Sequence, residues 1–187
     1  MNKGDDFDDP LIVAEVVSGQ KELFRLLVNR HEKTVYRMGL SFFHNIEDAS
    51  DFTQEVFLKV FRHLSTFEGR CRFSTWLYRV AYNTAVNRAA RKTEYQSLAE
   101  DPASPEYAQD WNTPEQTLLR QAVQAAVGEA VKELPERYRI CVDLFFFYDR
   151  SYQEIEVITG YPVNTIKSHV FRAKKLLREK LADFRYL

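Results

Sequence analysis

Residues 151–173 read Ser151-Tyr152-Gln153-Glu154-Ile155-Glu156-Val157-Ile158-Thr159-Gly160-Tyr161-Pro162-Val163-Asn164-Thr165-Ile166-Lys167-Ser168-His169-Val170-Phe171-Arg172-Ala173. Ser151 followed three residues later by Glu154 has capping-box form: the hydroxyl and the carboxylate each satisfy the other's backbone N–H. A short helix with Ile155 and Ile158 turned inward follows. Gly160 suits a left-handed terminator, and Pro162 disfavours helical backbone before it. From there Val163, Ile166, Val170, Ala173, Leu177 and Leu181 recur at three and four, so a second helix opens at once. Two helices joined by a three- or four-residue turn containing Gly form a helix-turn-helix.

With about 100° per residue and Ile166 at the buried pole, the far side of the second helix carries Thr165, Ser168, Phe171, Arg172 and Lys175, flanked by Lys167 and His169. That face suits a major groove: Arg bonds guanine bidentately, Ser and Thr meet bases or phosphates, and an aromatic touches a thymine methyl. Any soluble terminal helix turns polar residues outward, so charge is the better discriminator. Tyr161 to Leu187 holds seven basic residues against Glu179 and Asp183, a net of +5.

Upstream, the periodicity stays helical. Phe24, Leu27, His31, Val35, Met38 and Phe42 mark a helix over about 21–43, and Phe52, Val56, Val60 and Leu64 mark another over 47–64. Glu47 and Asp48 favour the N-terminal dipole of the latter. Residues 66–73 contain Gly69 and read as a loop. Ser74 or Thr75 can cap a third helix to about Arg91, with Leu77, Val80, Ala81 and Thr84 inward. After Lys92 the composition changes: 93–119 holds six acidic residues, no basic ones and three prolines. The expected organisation is all-α, a domain over 1–92, an acidic flexible linker over 93–112, and a second domain over 113–187. Thr113-Pro114 has the form of a cap with proline at the first helical position, and Pro135 opens a helix with Tyr138, Cys141, Phe145 and Tyr148 in register.

Gly69 to Lys92 repeats the charge asymmetry, with Arg70, Arg72, Arg79, Arg88, Arg91 and Lys92 and no acid, a net of +6. Phe73, Trp76, Tyr78 and Tyr82 are interleaved with these cations. Single-stranded nucleic acid needs that mixture, cations for phosphates and flat partners for unstacked bases. Phe73, Trp76 and Tyr78 also read as ordinary core aromatics, the better reading for Trp76, whereas the arginines are harder to explain as core.

The chain as a whole has 187 residues and a net charge of −1, which conceals these local excesses. Its six glycines lie at least fifteen residues apart, so neither a dinucleotide fingerprint nor a P-loop is present. Apolar runs such as Leu144 to Tyr148 are far shorter than the roughly 18 residues of a membrane span. Asp5, Asp6, Asp8 and Asp9 stand where a signal peptide carries basic residues. Cys71 and Cys141 lack C-x-x-C spacing, which fits a reducing cytoplasm. His31, His44, His63 and His169 have no metal-ligand spacing. No nucleophile-base pair is evident, so neither a cofactor, a metal nor enzymatic activity is expected.

Six stretches, three in each half of the chain, carry a family resemblance. Asp51-Phe52-Thr53-Gln54-Glu55-Val56-Phe57-Leu58, then Phe67-Glu68-Gly69, then Phe73-Ser74-Thr75-Trp76-Leu77-Tyr78-Arg79-Val80-Ala81-Tyr82-Asn83 resemble regions 2.2 to 2.4 of bacterial extracytoplasmic-function (ECF, group 4) sigma factors of the sigma-70 superfamily. Leu134-Pro135-Glu136-Arg137-Tyr138-Arg139, Ser151 to Ile155 and Thr165 to Ala173 resemble region 4. The resemblance implies binding to core RNA polymerase, through the beta-prime clamp and the beta flap, and delivery of it to promoter DNA, both duplex and melted non-template strand. It places Asp51, Gln54, Glu55 and Leu58 on the polymerase. It gives the minus-ten element Phe67, Gly69, Arg70, Arg72, Phe73, Tyr78, Arg79, Asn83 and Arg88, and the minus-thirty-five element Thr165, Lys167, Ser168, His169, Phe171, Arg172 and Lys175. It also implies an anti-sigma factor as regulator. Three positions depart from the family's pattern: Arg70-Cys71-Arg72 in the loop, His169 where arginine is common, and Glu156 where a small alanine is usual.

The competing class is a stand-alone helix-turn-helix regulator binding an operator as a dimer. It explains the C-terminal domain and leaves the blocks over 51–58 and 67–83 without purpose.

Overall fold

The computed structural model describes residues 9–95 and 126–182, which fall into two compact units, one of 9–95 together with 157–160 and the other of 126–156 and 161–182. All regular structure among the described residues is helical, as the three-and-four periodicity requires. The expected linker lies outside the described residues except for 93–95, which continue the preceding helix, and the Thr113-Pro114 cap lies outside them too.

In the first unit, α1 spans Asp9–Val17, α2 Phe24–Phe43, α3 Ile46–His63 and α4 Phe73–Tyr95. The α2 stripe turns Leu27, His31, Val35 and Met38 into the core, and α3 answers with Phe52, Val56 and Val60. Two residues connect them. His44 adopts left-handed backbone (φ 53°), and Asn45 caps α3 by accepting the Asp48 N–H at 3.0 Å. The helices meet at Gly39, where a Cβ would lie 2.8 Å from Phe52 Cδ1 and 3.1 Å from Ala49 Cα. Only a hydrogen fits there.

Two features differ from the sequence expectation. Helix α4 begins at Phe73, and Ser74 and Thr75 are wholly buried within its first turn instead of capping it. The amides of Thr75 and Trp76 bond the Arg72 carbonyl, at 3.0 and 3.2 Å, so the backbone at Arg72 starts the helix. The second difference is α1, which periodicity did not announce. It buries Val13 and Val16 and is fixed by Asp9, whose carboxylate is fully buried, accepts from Arg30 Nη1 at 2.9 Å and pairs with His31 Nε2 at 2.7 Å.

The second unit contains a helix over 126–132 (α5), α6 at Glu136–Val142, α7 at Tyr152–Thr159 and α8 at Val163–Lys180. Leu134, Tyr138, Val142 and Ala173 form one core cluster with Leu176 and Leu177 against it, and Leu144, Ile155, Ile158 and Ile166 are fully buried. Helix α6 widens into a π-helical turn over Asp143–Phe147, where the Tyr148 amide reaches back five residues to the Asp143 carbonyl at 3.0 Å. The wider turn shifts the register. Tyr138, Cys141 and Tyr148 are buried as expected, but Leu144 takes the core position expected of Phe145, which stacks on Tyr152 at 4.8 Å instead.

Candidate nucleic-acid interfaces

The helix-turn-helix closes as its residues dictate. The Glu154 amide donates to Ser151 Oγ at 3.2 Å and the Ser151 amide to Glu154 Oε2 at 2.9 Å, which completes the capping box. Gly160 takes φ +75°, a conformation any Cβ would strain. Glu156 is exposed and turns its carboxylate to the start of α8, accepting the Val163 N–H at 3.1 Å. A residue that departs from the family's small alanine thus neither enters nor disturbs the interhelical core, and it caps the second helix where the macrodipole favours an anion.

Along α8, Lys167, Phe171, Arg172 and Lys175 are exposed, Thr165 and Ser168 half-buried, and Ile166, Val170 and Ala173 inward. Phe171 is 69% exposed, a large apolar surface on a polar helix. Lys174 and Lys167 lie over the rings of Phe146 and Tyr152 at 5.0 and 6.0 Å, which holds two long side chains against aromatic surface. His169 is different. At about 60° from Ile166 on the helical wheel, it packs between Tyr138 (5.2 Å) and Tyr161 (5.5 Å), with Nδ1 3.7 Å from Cys141 Sγ. Burial, and then the charges of Arg137 and Arg172, hold its pKa below the ordinary 6.5. Burial also pushes the Cys141 thiol up to about 12. His169 is therefore a neutral packing group at pH 7, half turned away from the face it was expected to flank.

In the first unit the loop over 67–72 rests on an aromatic base. Phe67 meets Phe73 edge-on at 5.6 Å and Trp76 at 5.7 Å, and Phe73 lies 5.5 Å from His31. Phe73 and Tyr78 have no exposed surface, and Phe73 supports the loop from beneath through Phe67. Gly69 (φ +70°) turns the chain, and Arg70 stands 84% exposed beside Glu68 at 2.6 Å. Arg72, Trp76, Arg79 and Asn83 follow at steps of four, three and four, which aligns them on one face of the α4 entry. Arg72, Arg79 and Asn83 are exposed and Trp76 half-buried. Arg88 is held elsewhere: it pairs with Asp48 at 2.7 Å and lies 5.1 Å from the Phe43 ring, tying α4 to the start of α3.

On α3, Asp51, Gln54, Glu55 and Leu58 sit at i, i+3, i+4 and i+7 and form one stripe. Asp51, Gln54 and Leu58 are exposed, Leu58 at 57%, and Glu55 pairs with Lys59 at 2.6 Å. A cationic loop and a mainly acidic helix face carrying one exposed leucine thus occupy the same unit. No group of side chains suited to a metal ion occurs among the described residues, and no helix there is long and apolar enough to cross a membrane.

Residues 27–95 match the family model of Sigma-70 region 2, and residues 124–177 match that of Sigma-70, region 4. The chain is 34% identical over 180 residues to the RNA polymerase sigma-H factor of Pseudomonas aeruginosa, covering 92% of this chain and 93% of that protein. It is 33% identical to the ECF RNA polymerase sigma-E factor of Haemophilus influenzae, covering 92% and 95%. Among solved structures, CnrH in complex with the cytosolic domain of CnrY superposes with a TM-score of 0.66 at 20% identity, over 92% of this chain and 96% of that one. The sigma factor RpoE in complex with the anti-sigma factor NepR from Bartonella quintana gives 0.66 at 18% identity, over 85% and 96%. At those identities the two structures support the helical fold.

Proposed function

Because the chain belongs to the ECF sigma factors of bacterial RNA polymerase, we propose a division of labour in which residues 1–92 hold polymerase and the minus-ten element while residues 113–187 hold the minus-thirty-five element. The observation that carries it is the pairing, within one unit, of the Asp51, Gln54, Glu55 and Leu58 stripe with the cationic loop over 67–72. The stripe docks on the beta-prime clamp, and the second unit uses a surface away from its DNA face for the beta flap. Docking brings the loop to the upstream edge of the duplex to be melted.

The loop and α4 then act on the non-template strand. Flipping a base out of the stack costs a few kcal/mol. Arg70, Arg72 and Arg79 offset part of that through phosphates, and Phe67 and Trp76 offer aromatic surface. Asn83 both donates and accepts, which suits it to a base edge. Phe73 fixes the loop from beneath, and Arg88 braces α4 against α3. In the second unit α8 enters the major groove with Lys167, Phe171, Arg172 and Lys175 leading and Thr165 and Ser168 at its margins. His169 sets the seat of α8 on α6.

An anti-sigma factor that covers these faces is the proposed regulator, and its removal frees them. Core polymerase mixed with this chain opens a promoter duplex, whereas the chain alone does not. A chain that binds an operator duplex tightly as a dimer and leaves core polymerase unaffected would replace this reading with the stand-alone regulator.

A further inference from the structure

Two guanidinium groups converge on Tyr138. Arg172, from α8, donates from Nη1 to the Tyr138 hydroxyl at 3.5 Å, and Arg137, from α6, lies with its guanidinium carbon 5.1 Å from the ring centroid. Tyr138 itself is buried, so its ring stands as a fixed post between two exposed side chains. The charges that act on Tyr138 are those of Arg137 and Arg172, and the same two act on neighbouring His169. Neither arginine has an acidic partner among the described ion pairs, although Arg30, Arg70, Arg88 and Arg150 all do. Arg137 also occupies the first turn of α6, where the helix dipole disfavours a cation. Both side chains are exposed, and neither is engaged by a carboxylate among the described ion pairs, so their guanidinium groups lie side by side and open to an external anion.

We propose that Arg137, outside the helix-turn-helix, is a duplex-phosphate contact that works beside Arg172, the pair being spaced by Tyr138. The assignment rests on the reading of the second unit as a duplex-binding domain. It adds to that domain a sequence-independent anchor on a different helix, so that α8 is registered on the backbone while its own residues meet the bases. Phosphate contacts of this kind position a protein without carrying sequence information.

The test is fluorescence anisotropy of the full chain, with and without core polymerase, on cognate and scrambled duplexes across a salt series. Arg137→Ala should lower affinity about 3- to 10-fold equally on both duplexes and reduce the log–log salt slope by about 0.9, the value for one phosphate contact. Arg137→Lys should retain most of the affinity and the slope. Tyr138→Phe, which keeps the ring but removes the hydroxyl, should fall between wild type and the alanine variant. Helix content by circular dichroism verifies that each variant is folded. Unchanged affinity and slope in Arg137→Ala, with Lys175→Ala still impaired, would overturn the Arg137 contact and leave the duplex-binding reading standing. Absence of duplex binding by wild type in either format would overturn both.

Discussion

Arg172 and Lys175 are both exposed and both cationic, yet the proposed duplex contact gives them different tasks. Arg172 has the planar fork that pairs with a guanine edge, and Tyr138 holds it at one end. Lys175 is a point charge one turn further on. Arg172→Ala is expected to weaken binding of a cognate duplex by about 1–3 kcal/mol and to relax sequence preference, while Lys175→Ala weakens cognate and scrambled duplexes alike. Equal losses for both variants on both duplexes would remove the base-reading role. His169 predicts a pH effect. Its pKa is lowered in the fold, so below 6.5 the unfolded chain takes up a proton that the folded chain resists. Stability of the second unit should therefore fall as pH drops below 6.5 and on through the folded pKa, and His169→Asn should flatten that slope in thermal melts. A slope of equal size in the variant would assign the effect to other groups.

Between helices the decisive positions are the small and the capped ones. At Gly39 even a methyl meets Phe52 and the Ala49 backbone, so Gly39→Val should destabilise the first unit by about 1–3 kcal/mol through overpacking. Chemical denaturation would measure it. The sequence made α2, α3, α7 and α8 legible because each has a long stripe or a clear cap: Phe52, Val56 and Val60 alternate at four, and Ser151 with Glu154 fixes where α7 begins. It left α1 unread for a physical reason. That helix has two buried valines and depends on Asp9, whose partners Arg30 and His31 lie 21 and 22 residues away. Asp9 looks no different in sequence from Asp5, Asp6 and Asp8, and only tertiary contact marks it as buried. Asp9→Ala should cost about 3 kcal/mol, the lower end for breaking a buried pair, because Arg30 keeps contact with water. The π-turn after α6 was unreadable for a related reason: Leu144, Phe145, Phe146 and Phe147 are all apolar, and periodicity cannot choose which of four faces inward. Within the candidate interfaces, the wheel placed Phe171, Arg172 and Lys175 outward as found, whereas Thr165 and Ser168, expected on the same far side, are half-buried and His169 packs between two tyrosines. Arg137 was invisible because its neighbour Tyr138 meets α8 only in three dimensions.

Across the whole molecule, charge is distributed by task. Residues 69–92 carry +6, residues 161–187 carry +5, and residues 93–119 carry six acids with no base, so a net of −1 is the sum of strong local opposites. Both cationic stretches contribute to faces that leave the core free: exposed Arg70, Arg72 and Arg79 in one unit, and exposed Lys167, Arg172 and Lys175 in the other. The α3 stripe is the face proposed for polymerase, and Leu58→Asp is expected to cut retention on immobilised core polymerase at least tenfold without altering duplex affinity of the free chain. Membership of the ECF sigma factors accounts for both units, whereas a free-standing helix-turn-helix regulator accounts for the second alone. The most direct measurement is transcription by core polymerase plus this chain on a library of randomised promoters. Starts should share two short elements at a fixed separation, and both elements should vanish from the enriched set when the chain is omitted. Starts indifferent to sequence, or no starts above core polymerase alone, would contradict promoter selection by this chain.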